Sequence, residues 1–96
     1  MARGLLSNPV MSLNRIESVR RPLVLVVDDE NGPREALRMV LSREHAVLLA
    51  ATPDEARTRL SQHDVDLMTL ELPRRREAGV DLLAEVRARF HDTEVL

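Results

Sequence analysis

The sequence predicts an α/β fold, built on an open parallel sheet with helices on both faces. Three observations lead there. Leu23-Val24-Leu25-Val26-Val27 is an uninterrupted aliphatic run that ends abruptly in Asp28-Asp29-Glu30, the pattern of a central strand buried on both faces. A second mostly apolar run, Val65-Asp66-Leu67-Met68-Thr69-Leu70-Glu71-Leu72, also carries an acid near its end. Between and after these runs the hydrophobic period switches from strand to helix and back, as a βα repeat should.

The elements follow in order. Residues 23–27 form the first strand. Pro33 suits the first turn of a helix, where its missing N–H would be unpaired anyway. Ala36, Leu37, Val40 and Leu41 mark that helix's buried side, with Arg34, Arg38 and Arg43 elsewhere. Residues 46–51 are a short apolar strand. Thr52-Pro53-Asp54-Glu55 then reads as a capping box, Thr52 at the N-cap and Glu55 at the third helical position, and Ala56 and Leu60 anchor its helix to the sheet. The third strand spans 66–70. A third helix runs over about 80–90, with Leu82, Leu83, Val86 and Phe90 inward. Glu94-Val95-Leu96 opens a fourth strand, where the sequence stops.

Composition narrows the function. Ninety-six residues make one small domain. The absence of Cys removes disulfides and thiolate metal sites and fits a cytoplasmic protein. A net charge of −2 gives no electrostatic case for nucleic acid. All 14 basic residues are Arg, and there is no Lys. Residues 1–21 are net basic and 22–96 net acidic. The first segment, broken by Pro9, has no sustained period and no apolar run fit for a signal peptide or membrane helix. It reads as a disordered leader, or as sequence upstream of a start at Met11; its Arg-rich composition is also that of a mitochondrial presequence. The folded domain is then 22–96.

In open parallel sheets ligands gather at the carboxyl ends of the strands. Carboxylates brought together there repel unless a cation or proton lies between them, and an all-oxygen acidic set suits Mg²⁺. Asp28, Asp29 and Glu71 are therefore expected to converge and bind a divalent cation weakly. The blander reading makes Asp28, Asp29 or Glu30 a helix N-cap and Glu71 a solvated strand end. Arg74-Arg75-Arg76 is either a solvated loop, or a source of one guanidinium that folds onto Glu71 or captures an anion. His45, His63 and His91 have no metal-site spacing.

The combination of Val27-Asp28-Asp29-Glu30, Arg34, Leu37, the Glu71 strand and Gly79-Val80-Asp81-Leu82-Leu83 resembles the receiver domain of two-component response regulators, over roughly residues 22–96. The resemblance implies a flavodoxin-like doubly wound parallel sheet. It is incomplete here, with about three βα units in strand order 2-1-3. The family's phosphoacceptor Asp lies at the end of its third strand with a Gly eight residues beyond; counting back from Gly79 reaches Glu71. A second register would put Thr69 at the acceptor position with Pro73 four residues on, but leaves Gly79 out of step. The family's Ser or Thr after strand four and Lys after strand five have no counterpart in this sequence, which suggests a fragment, a truncated remnant or a module completed by association.

In such receivers the acceptor attacks a phosphohistidine while Mg²⁺ neutralises the phosphoryl oxygens. The extra methylene of Glu71 moves its oxygens out by about 1.5 Å, and a shift of roughly 1 Å can cost ~10²-fold in rate. The resemblance thus implies a pseudo-receiver in phosphorelay signalling, not an enzyme. It also implies docking to a sensor histidine kinase through the first helix, where Arg34 and Arg38 are expected on the exposed side and Leu37 and Val40 on the buried side. An exposed 66–70 edge would favour self-association unless 93–96 or another chain covers it. Two alternatives stay open. One is an inert structural or docking fragment. The other is a Mg²⁺-dependent phosphohydrolase, although that chemistry wants a second Asp two residues after the first, where Glu30 stands.

Overall fold

The computed structural model of the chain describes residues 21–96; the expectation of a leader over 1–21 therefore lies almost wholly outside the described residues. The elements are β1 (Leu23–Asp28), α1 (Asn31–Leu41), β2 (Ala46–Ala50), α2 (Pro53–Gln62), β3 (Leu67–Glu71), α3 (Arg76–Arg89) and β4 (Glu94–Val95). The sheet is four-stranded and wholly parallel, in the order β2-β1-β3-β4. This is the expected α/β class and 2-1-3 core, extended by one short strand.

β1 is central for the reason its sequence gives. Val24, Leu25, Val26 and Val27 are all fully buried, so each successive side chain meets an apolar layer whichever way it points. On one face Leu25 and Val27 join Ala50, Ala56, Leu60, Met68, Leu82 and Val86 in a single cluster beneath α2 and α3. Val24 and Val26 point to the opposite face, where α1 packs over β1 and β2. The helix after β1 and the helix after β2 thus lie on opposite sides, as right-handed crossovers leaving a central strand require.

α1 corrects the expected buried stripe. Ala36 and Val40 are exposed, Val40 by 66%, and none of the helix's residues is fully buried. The half-buried positions are instead Arg34, Glu35, Leu37, Arg38 and Leu41. Arg34, Leu37, Arg38 and Leu41 fall on one helical face by i, i+3, i+4 and i+7 spacing, and this face, not the one centred on Ala36 and Val40, turns to the sheet.

Other boundaries shift by local chemistry. Thr52 accepts a hydrogen bond from the Glu55 N–H at 3.1 Å, and Glu55 Oε1 accepts from the Ala51 N–H at 2.8 Å. The expected capping box therefore forms with its return bond one residue earlier than usual, and Ala51 is drawn out of β2. β3 begins at Leu67, not at 66; the Asp66 side chain accepts the Leu23 N–H at 2.7 Å while its own N–H donates to the Leu23 carbonyl at 2.9 Å. It runs on to include Glu71. α3 starts at Arg76 instead of near Val80, since Arg76, Glu77 and Ala78 are compatible helix formers ahead of the apolar positions.

β4 covers only part of the β3 edge. Leu67 pairs with Glu94 and Met68 with Val95, and Thr93 Oγ1 donates to the Val65 carbonyl at 2.7 Å. Thr69, Leu70 and Glu71 have no β4 partner. The 66–70 edge, expected to be exposed unless 93–96 or another chain covers it, is thus covered over its first half by Glu94 and Val95.

α2 and α3 are tied by an ion-pair network. Arg57 Nε meets Glu85 Oε1 at 2.8 Å, Arg89 Nη1 meets Glu85 Oε2 at 2.9 Å, and Arg57 Nη1 reaches Asp54 at 3.0 Å. The Arg57 hydrogen bond holds the Glu85 carboxyl below its ordinary range, against the opposing pull of burial. A depressed carboxylate contributes stability above its unfolded pKa and loses it as pH falls through the folded value. Solvent screening keeps such a contribution small. Glu85→Gln should lower stability at neutral pH by about 0.5–1 kcal/mol. The difference from wild type should vanish as the pH drops below the ordinary Glu range of about 4.3, as followed by thermal melts across pH.

Candidate functional site

The register of the sheet assembles the site. Asp28, the last residue of β1, pairs with Glu71, the last residue of β3. Thr69 lies lower in the sheet beside Val26, so of the two acids or hydroxyls considered for the end of β3, Glu71 is the one level with Asp28. Aligned partners on neighbouring parallel strands share a face, which puts Asp28 and Glu71 on the α1 side.

Each acid then has a distinct environment. Asp28 is 7% exposed, and its Oδ1 accepts the Glu30 N–H at 2.8 Å. This bond two residues ahead is an Asx-type turn that folds the loop over the strand end. Asp29 Oδ2 accepts the Arg74 N–H at 3.1 Å, joining the β1–α1 loop to the β3–α3 loop. Its Oδ1 is buried and has no hydrogen-bond partner. Glu30 occupies the N-cap of α1 without a side-chain capping bond, and its carboxylate lies 3.9 Å from Arg74 Nη2. Glu71 is exposed.

A buried carboxylate oxygen without a donor is costly. A hard cation would satisfy it, and the all-oxygen donor set is of the type that suits Mg²⁺. Asp29 therefore fits such an ion. Among the described residues, however, no three His, Cys, Asp or Glu side chains are gathered closely enough to hold a metal.

The arginines divide in function. Arg74 binds back to the acidic loop through both its backbone and its side chain. Arg75 is the N-cap residue of α3 and Arg76 its first residue, both exposed. No bond joins any of the three to Glu71 among the described residues. Arg34 is not the free surface group expected from its position. It is half-buried, donating from Nη1 to the Asp28 carbonyl at 2.8 Å and from Nη2 to Asn31 Oδ1 at 2.9 Å. Arg38 is held by Glu35 at 2.8 Å. The clamp from Arg34 to the Asp28 backbone was not foreseen. Its one sequence signal is Asn31 three residues before Arg34, a spacing that brings the two side chains together on a helix.

Gly79 is buried in α3 against Leu72. A Cβ there would lie 3.6 Å from Leu72, an ordinary contact. Its place opposite Leu72 is thus a matter of helix-to-strand packing, not of backbone strain. No helix among the described residues is long and apolar enough to cross a membrane.

Over 73 residues the chain is 38% identical to the hydrogenase transcriptional regulatory protein HoxA of Cupriavidus necator, an alignment covering 76% of this chain and 15% of that protein. No family model matches the chain, and no solved structure does. The chain spans about 15% of the length of the curated relative it matches, and that similarity marks it as containing a segment related to a transcriptional regulator.

Proposed function

We propose that residues 22–96 are a receiver-like module of two-component signalling, a pseudo-receiver in which Glu71 stands where the family places its phosphoacceptor Asp. The observation that carries this reading is the pairing of Asp28 with Glu71 at adjoining strand ends, with the orphaned Asp29 oxygen in the loop that follows. The similarity to HoxA, a transcriptional regulatory protein, supports the signalling class. On this reading the module is cytoplasmic, is not an enzyme, and works through contacts with other signalling proteins.

Asp29 would be the protein ligand of a weakly held Mg²⁺, its Oδ1 atom being already desolvated, with Asp28 and Glu71 adding negative charge at the same strand ends. The ion would supply neutralisation of acidic or phosphoryl oxygens. Because binding only to the folded state stabilises it, millimolar Mg²⁺ should raise the thermal midpoint of the wild type, and Asp29→Asn should abolish the rise. An unchanged wild-type midpoint would favour the inert docking fragment over the pseudo-receiver.

Phosphotransfer should be negligible. Glu71 projects its oxygens about a bond length further than Asp, and the chain has no Lys to pair with a phosphoryl group. Incubation with acetyl phosphate should leave the wild type unlabelled, and Glu71→Asp should restore little label in this 96-residue form. Ready labelling of the wild type would overturn the pseudo-receiver assignment.

A sensor histidine kinase is the proposed partner, docked through α1 and the acidic loop, with Arg34 and Arg38 as contacts. Arg34 also holds the Asp28 backbone, so Arg38→Glu is the cleaner test. It should weaken docking to a histidine-kinase dimerisation domain about tenfold and lower the thermal midpoint only slightly, through the lost pair with Glu35, whereas Arg34→Glu should lower the midpoint markedly as well.

A further inference from the structure

β2 is an edge strand of five residues, Ala46–Ala50, with the sequence AVLLA, free of charge, Gly and Pro. Among the described residues no strand pairs with its outer side. Such an edge is a template for another strand unless something blocks it. The direction of its backbone groups follows from the Ala46 N–H, which donates to the Pro22 carbonyl on the inner side at 3.0 Å. Groups on alternate residues of a strand point to opposite sides, so Val47 and Leu49 turn outward.

The outward groups are only partly free. Arg59, half-buried on α2, donates from Nε to the Leu49 carbonyl at 3.2 Å. One residue beyond the strand, Glu55 occupies the Ala51 N–H at 2.8 Å. Two side chains of the same helix therefore close the upper half of the edge, and Val47 is left open.

We propose that the outer edge of β2 is a pairing surface for a second copy of this chain, held closed by Arg59. A two-fold axis at Leu48 sets Val47 of each copy opposite Leu49 of the other, and such an antiparallel pair exchanges both its N–H···O=C bonds. The strand is thus complementary to itself, with no charge to oppose the match. Every bond pair in this register uses the Leu49 carbonyl, the group that Arg59 holds, and the guanidinium lies in the path of the incoming strand. The resulting interface is isologous and closes at a dimer.

The test is sedimentation velocity over a wide concentration range on the full chain. Arg59→Met keeps the aliphatic stem and helix propensity and removes the donors. Self-association should tighten about tenfold or more relative to wild type. Adding Val47→Pro, which removes an outward N–H at a position where an edge tolerates Pro, should return the variant to monomer. A folded Arg59→Met that stays as monomeric as wild type overturns the proposal, as does a dimer that persists with Val47→Pro. Should Arg59→Met lose its native circular dichroism, Arg59→Gln is read in the same way; failure of both to fold assigns Arg59 to the fold itself and overturns the guard role.

Discussion

The burial of β1 on both of its faces is the constraint on which the rest of this structure depends. Val24 through Val27 have no exposed surface, and each fully buried aliphatic contributes about 1.5–3 kcal/mol. No other element among the described residues is buried so continuously. For both faces of one strand to be covered, helices must lie on both sides of the sheet and a strand must flank each edge. The placement of α1 against α2 and α3, and of β2 against β3, follows from that requirement. The end of β1 is then fixed in space, and with it the acids that come next.

What that end presents is a loop organised by its own polar groups. Asp28 folds the chain through the Glu30 N–H, Arg34 holds the Asp28 carbonyl, and Asp29 reaches across to the Arg74 backbone. These bonds leave one Asp29 oxygen buried and unsatisfied. Among the described residues the other buried side-chain polar atoms are paired, and this one desolvated carboxylate oxygen concentrates negative potential at the strand ends. Glu71, level with Asp28 but exposed, adds charge at the same end without being drawn into the network. The arrangement is suited to attracting a cation more than to caging one.

The two outer flanks of the sheet are managed differently. β4 covers the lower part of β3 with backbone pairing. β2 has no such partner among the described residues and relies on side chains of α2 instead. The helix that packs beneath β2 thus serves both the core, through Ala56 and Leu60, and the edge, through Glu55 and Arg59. Meanwhile α3 is locked to α2 through Glu85, so that the helix serving the edge is itself held in place.

The sequence by itself determined the class of fold, the central strand and the alternation of strands and helices. Each of these depends on a local pattern: an unbroken aliphatic run, a capping box, or a switch of hydrophobic period. Only the tertiary structure decided which side of α1 faces the sheet, since Ala36 and Val40 have as apolar a stripe as Leu37 and Leu41 and the choice rests on how the helix crosses β1 and β2. It likewise decided that the Asp66 side chain binds the Leu23 N–H, how far the expected fourth strand covers the β3 edge, and that Arg34 turns inward to Asp28 and not outward. The burial of Asp29 Oδ1 beside the Arg74 backbone was equally beyond reach. These outcomes join residues far apart in the chain, and no periodicity within a single segment encodes a contact between two loops.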